Sequence, residues 1–207
     1  MSIERGQFSE PASPEVLQRV AVKLRERNVE AIVVSDELQA RDAVLQRLPA
    51  GAEVHAGKSK TLQDIGITPE LAQEGRYTYL RNLYLKMDRK TQMREIRKLI
   101  AAPDFMLGSV SAVTQEGILV AASATASQLG PYAAGGGKVI LVVGSQKIVP
   151  NLDAALRRIR EYVLPWEDAQ VRPTVPTGSF VGKILIIEQE WIAGRIEVIF
   201  VQKPIGI

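Results

Sequence analysis

Apolar residues in the first third of the chain change spacing twice. Leu17, Val20, Ala21 and Leu24 recur at helical intervals, predicting a helix that opens at Ser13-Pro14-Glu15. That start has a hydroxyl cap, a proline at the first helical position and an acid in the first turn. "VEAIVV" (29–34) then reads as a short apolar strand. Asp36 to Leu48 reads as a helix with Ala40, Val44 and Leu48 on one face, and "AEVHAG" (52–57) as a second strand. Strand, helix, strand in this order is a βαβ unit, the building block of parallel sheets. Residues 58–75 mix short helical pieces with turns, and a longer helix is predicted from about Tyr84 to Ile100. In it Met93, Ile96, Leu99 and Ile100 oppose a basic side of Lys90, Arg94, Arg97 and Lys98. That basic side is either a solvated face or a surface for an anionic partner.

Further along, "DFMLGSVSAVT" (104–114) and "ILVAAS" (118–123) predict two strands joined by a turn at Gln115-Glu116-Gly117. "KVILVVG" has no alternation, which fits a strand buried on both faces. Asn151 caps a predicted helix whose core stripe is Leu152, Ala155, Leu156, Ile159 and Val163. Residues 165–182 read as a long loop of the kind that forms lids or binding loops. "KILIIEQ" and "RIEVIFV" read as a hairpin or adjacent strand pair. The expectation is one α/β domain over residues 13–207, a mostly parallel sheet flanked by helices with an antiparallel strand pair near the C-terminus, preceded by a flexible tail at 1–12.

The run "GPYAAGGGK" invites comparison with a phosphate-binding loop, and the order of its parts is wrong for one. Such a loop follows a strand, opens a helix and reads G-x-x-x-x-G-K-[ST]. Here Tyr132 stands where the first glycine should be, Val139 replaces the hydroxyl, and the apolar strand comes after the glycines. Gly135–Gly137 therefore read as a turn feeding a buried strand.

Composition narrows the chemistry. The 207 residues contain no cysteine and one histidine, His55. Disulfides, thiolate-held zinc, iron–sulfur clusters and multi-histidine metal sites are excluded, and no metal or cofactor is expected. The net charge of +3 is too small to imply nucleic acid. The N-terminal run "MSIERGQFSEPASPE" is polar, resembling neither a signal peptide nor a membrane span, so the expectation is a soluble cytoplasmic protein without a membrane partner.

Three places could carry chemistry. In "HAGKSKT", His55, Lys58, Ser59 and Thr61 would lie at a strand's carboxyl end, where open α/β sheets bind ligands. In "GSQK", Gly144, Ser145, Gln146 and Lys147 follow the buried strand and precede a helix, the order an anion site needs. On the assumed topology Ser109, Ser127 and Gln128 face the same crevice. Glu116 lies in a bend between two apolar segments. It reads either as a solvated turn acid or as a carboxylate that burial could tune into a nucleophile or general base.

The segments "REIRKLI", "FMLGSVSAVTQEGILVAAS", "SQLGPYAAG", "KVILVVGSQKIVPNLDAALRRIREYVLPWEDA" and "GSFVGKILIIEQE…GRIEVIFVQKPIGI" together resemble the LUD-domain family, named for lactate utilisation. The resemblance covers roughly residues 14–207 and is most specific over 105–168. It implies an α/β fold related to glucosamine-6-phosphate deaminase, ribose-5-phosphate isomerase and CoA transferases. In the last of these a glutamate followed by glycine accepts the acyl group, and Glu116-Gly117 looks similar. Some family members belong to multi-subunit systems oxidising lactate to pyruvate, and some longer ones carry cysteine clusters. This chain has no cysteine, so electron transfer would need redox partner subunits. Three functions stay open: binding of a small anionic metabolite as an accessory subunit in organic-acid utilisation, acyl or CoA transfer through Glu116, and a non-catalytic scaffold. A homo-oligomer is compatible with each.

Overall fold

A computed structural model describes residues 5–207 of the chain. The elements are α1 (Pro14–Glu26), β1 (Glu30–Val34), α2 (Glu37–Gln46), β2 (Glu53–Ala56), α3 (Lys60–Asp64), α4 (Ile67–Ala72), β3 (Thr78–Tyr79), α5 (Leu80–Tyr84) and α6 (Met93–Ala101). Then follow β4 (Phe105–Gly108), β5 (Ala112–Thr114), β6 (Leu119–Ser123), β7 (Lys138–Gly144), β8 (Ile148–Val149), α7 (Leu152–Arg158), α8 (Leu164–Val171), β9 (Lys183–Ile187) and β10 (Ile196–Val201). The side chains of Ser13, Asp36 and Asn151 cap α1, α2 and α7 by accepting from backbone N–H groups in each first turn.

Six strands form a sheet in the order β1-β10-β7-β4-β2-β3, and every recorded pairing in it is parallel. Its centre is buried on both faces. Val139, Leu141 and Val143 of β7 join one cluster with Leu17, Val20 and Leu24 of α1. Ile140 and Val142 join another with Val44 of α2 and Ile67 and Leu71 of α4. Successive side chains point to opposite faces, so an unbroken apolar strand feeds both layers. The expected βαβ unit is parallel, but its strands are not neighbours: β10, β7 and β4 lie between β1 and β2.

A second sheet, β8-β5-β6-β9, packs over the α1 side of the first: Val113, Leu119 and Ala121 share its cluster. Ala112 and Val120, on the other side of β5 and β6, meet Ala155 and Ile159.

Several expectations change. The segment 104–114 is two strands in different sheets, broken at Ser109–Ser111. The antiparallel pair near the C-terminus exists, but β9 pairs with β6 while β10 lies between β1 and β7. The single helix predicted from Tyr84 to Ile100 is α5 and α6. Between them the Asp88 carboxylate accepts from the Lys90 N–H and the Thr91 hydroxyl, a local turn that competes with helix. Residues 165–171 are helical, so the loop begins after Val171. Of the expected tail, 1–4 lie outside the described residues, whereas Phe8 is buried against Tyr162 and its carbonyl accepts from Arg158.

Candidate functional site

The carboxyl ends of four parallel strands open onto one cavity of about 530 Å³. Gly57–Thr61 follow β2, Gly108–Ser111 follow β4, Lys147 follows β7, and Ile207 follows β10. Ala122–Thr125 of the second sheet, Tyr132, the inner side of α8 and the loop 175–180 complete the wall. Ligands collect at strand carboxyl ends in open α/β sheets because loops, not the sheet, meet there.

Two π-helical turns shape this wall. Residues 131–135 wind as one, which brings the Tyr132 hydroxyl to Ser109, accepting from its N–H at 3.1 Å and donating to its carbonyl at 3.1 Å. Burial pushes the Tyr132 phenol pKa upward, so it stays a neutral donor. A β-carbon at Gly108 would run into that hydroxyl, which is why β4 ends on glycine. Residues 159–163 form the second π turn, joining α7 to α8 and carrying Val163 and Glu167 to the cavity.

Lys147 is the electrostatic centre. It is 3% exposed, and its Nζ donates to Thr61 Oγ1 at 2.9 Å, Ser109 Oγ at 2.9 Å and the Val110 carbonyl at 3.3 Å. The Ser109 hydroxyl itself donates to the Val142 carbonyl at 2.6 Å, so it accepts from the lysine. Among the described residues no carboxylate pairs with Lys147. Asp64 acts on it through space, but Asp64 is held by Lys60 and by the Gly206 N–H. Desolvation, reinforced by Arg158, pulls the Lys147 pKa down to about 7. Arg158 is fully buried, donates to the Ser111 and Phe8 carbonyls, and has no carboxylate partner among the described residues. Two buried cations therefore flank the segment Ser109–Ser111 without a matching anion.

The loop that covers the opening is tied down. Asp168 of α8 accepts from the Ser179 N–H at 2.7 Å and pairs with Arg172. Gly178 has φ of +70°, and a β-carbon there would strike the Asp168 and Arg172 side chains. Gln128 is fixed by the Ser123 and Ser127 hydroxyls and by the Ala122 carbonyl.

Of the residues read from the sequence, Lys58, Ser59, Ser109, Ser127, Gln128 and Lys147 line the cavity, as does Thr61. His55, Gly144, Ser145 and Glu116 do not. His55 sits on the face of β2 opposite Val54 and Ala56, edge-on to Tyr84 at 5.8 Å, and burial lowers its pKa to about 4. Among the described residues its ring nitrogens have no hydrogen-bond partner. Gly144 and Ser145 are buried beneath the site, with Gly144 closely packed against Gln146 and Ile205. Glu116 is exposed at the β5–β6 turn, where Arg27 donates to its carbonyl. Gly117 does permit a close approach, but the approaching group is the α1 backbone at Lys23, 2.9 Å from a notional β-carbon, not a ligand.

Sequence reasoning missed Ser111, Ser123, Thr125, Tyr132, Glu167 and Ser179. Ser111, Ser123 and Thr125 share a signal, small hydroxyl residues at or beside strand ends, whereas Tyr132, Glu167 and Ser179 reach the wall from a π turn, α8 and the loop after it. Among the described residues no cluster of metal-ligating side chains occurs and no helix is long and apolar enough to cross a membrane.

The model of the LUD domain matches residues 17–201 of this chain. No curated protein sequence matches it. Among solved structures, the crystal structure of a DUF162 family protein from Deinococcus radiodurans is similar, with a TM-score of 0.50 and 16% identity, covering 92% of this chain and 99% of that one. At that identity the likeness concerns the fold. The family model spans both sheets and nearly the whole wall of the cavity, and on that match the chain belongs to the LUD domain family.

Proposed function

We propose that the protein holds a small anionic metabolite in this cavity and serves organic-acid utilisation as an accessory subunit. The observation supporting this is Lys147, a buried cation that lines the cavity and has no carboxylate paired to it among the described residues. A desolvated charge is costly unless paired, and a bound anion would supply the missing partner. Arg158 adds field from behind Ser111, and the hydroxyls of Ser59 and Ser111, which accept from backbone N–H groups and keep their own protons, offer neutral contacts around the anion. Acyl transfer through Glu116 has less support, because that carboxylate stands outside the cavity. With no cysteine in the chain, oxidation of an organic acid would take place on a redox partner subunit. A scaffold role finds one observation in its favour: Trp191 is 94% exposed and Ile192 beside it 57% exposed.

The test is thermal unfolding of wild type and Lys147→Met with a panel of small carboxylates and phosphates, at constant ionic strength. A ligand that binds only the folded state raises its stability by mass action. At least one anion is expected to stabilise the wild type beyond chloride. Its affinity should fall roughly tenfold or more in Lys147→Met, the equivalent of about 1.4 kcal/mol or more for losing a nearby buried charge. If no anion stabilises the wild type, the reading fails.

A further inference from the structure

The cradle around Lys147 suits more than an ammonium ion. A charged Nζ has three protons, and they match the three acceptors present: Thr61 Oγ1, Ser109 Oγ and the Val110 carbonyl. A neutral Nζ has two protons and a lone pair. Ser109 Oγ and Val110 O can take the two protons, because Ser109 has already committed its own proton to Val142. Thr61 Oγ1 has no other recorded partner, and its hydroxyl can rotate to donate to the lone pair. Both protonation states are therefore satisfied with little movement. A lysine that is desolvated and beside another cation is one that functions as an amine nucleophile toward carbonyl compounds. Here Arg158 is the second cation, and the cavity delivers a small molecule to Nζ.

We propose that Lys147 is a nucleophilic amine that condenses with an aldehyde or ketone carbonyl carried by the small anion. This deepens the anion-binding reading and rests on it. The lone pair of neutral Nζ adds to the carbonyl carbon, and the nitrogen gives one proton to the carbonyl oxygen, forming a carbinolamine. That hydroxyl takes a proton from solvent and leaves as water while the nitrogen lone pair closes the C=N bond. The product is an iminium, so the nitrogen becomes positive and faces the anionic part of the ligand. With the pKa of Lys147 at about 7, a large share of this amine is neutral at pH 7, whereas a lysine of ordinary pKa is almost entirely protonated.

The experiment is reductive trapping on the full chain at pH 7, with glyoxylate as the anionic aldehyde and sodium cyanoborohydride as the hydride donor. Peptide mapping then locates the carboxymethyl group left on each lysine. Lys147 is expected to be modified first and to one equivalent, and Lys147→Arg to lack that adduct. The anion that best stabilises the protein in thermal unfolding should slow the labelling. Labelling spread over exposed lysines such as Lys58 and Lys86, with Lys147 unmodified, overturns the proposal. If that happens while anions still stabilise the fold, anion binding stands and the imine falls. An adduct confined to Lys147 in a protein that no anion stabilises supports the amine and removes the anion reading.

Discussion

Lys138 and Lys147 lie at the two ends of β7, each just after a glycine-containing segment, and their surroundings are opposite. Lys138 pairs with Glu197 at 3.2 Å and donates to the Gly194 carbonyl at 2.6 Å. Burial would raise the Glu197 pKa, but Arg47 and Lys138 outweigh it and hold that carboxylate below its usual value. The glycines beside Lys138 are equally occupied by the fold. Arg195 donates to the Tyr132, Ala133 and Gly136 carbonyls, and a β-carbon at Gly135 would strike the Ala101 carbonyl. Lys147 has hydroxyls and a carbonyl but no carboxylate, and it opens onto a cavity. On the reading proposed above, a bound ligand would complete the charge balance at Lys147, whereas Lys138 already has its partner. The glycine run that looks like a phosphate loop is at the ion-paired end, and the plainer "GSQK" leads to the lysine that lines the cavity.

The sharpest way to break this contrast is Gly135→Ala. The added methyl meets backbone, which cannot swing aside, so a loss of about 3 kcal/mol in chemical denaturation is expected. A variant as stable as wild type that no longer binds the anion would reverse the assignment of the two ends.

The next largest effect is on pH dependence. A bound anion raises the folded-state pKa of Lys147 above its free value of about 7. Affinity is then level below pH 7 and declines above it, by up to about tenfold per pH unit, as the free protein loses the proton that the complex retains. Calorimetric titration from pH 6 to 9 should show proton uptake on binding, and a flat profile would remove Lys147 as the charge that meets the ligand.

Lys138→Met should cost about 1 kcal/mol of stability, since Glu197 keeps Arg47, and should leave anion affinity unchanged. A loss of affinity would show that both ends of β7 serve the ligand. The smallest effect is expected for Glu116→Gln, within about 0.5 kcal/mol in stability and without change in affinity, as for an exposed turn acid. A marked loss of binding or turnover in that variant would return the acyl-transfer reading to the front.

Much of this was legible in the order of residues. The caps Ser13, Asp36 and Asn151, the two-faced burial of 138–144, and the position of Lys147 after that strand all follow from local rules of hydrogen bonding and periodicity. Lys58, Ser59, Ser109, Ser127 and Gln128 were placed at strand or loop ends, and the cavity gathers them. Glu116 and His55 lie outside the cavity for a shared reason. A turn acid and a strand histidine look the same in sequence whichever side they face, and the facing depends on what packs there. For Glu116 it is α1 at Lys23 and Arg27 just after it, and for His55 it is Tyr84.

By itself, then, the sequence determined elements, caps, the buried central strand and the absence of thiol chemistry, because these depend on neighbours within a few residues. Strand order is different. That β10 enters between β1 and β7, that 104–114 splits between two sheets, and that β9 leaves its sequence neighbour for β6 are settled by contacts far apart in the chain. Only those contacts bring the end of β7 against Thr61 and Ser109 and bury Arg158 behind Ser111. Burial is what pulls the Lys147 pKa below that of a surface lysine, and burial is a property of the assembled layers.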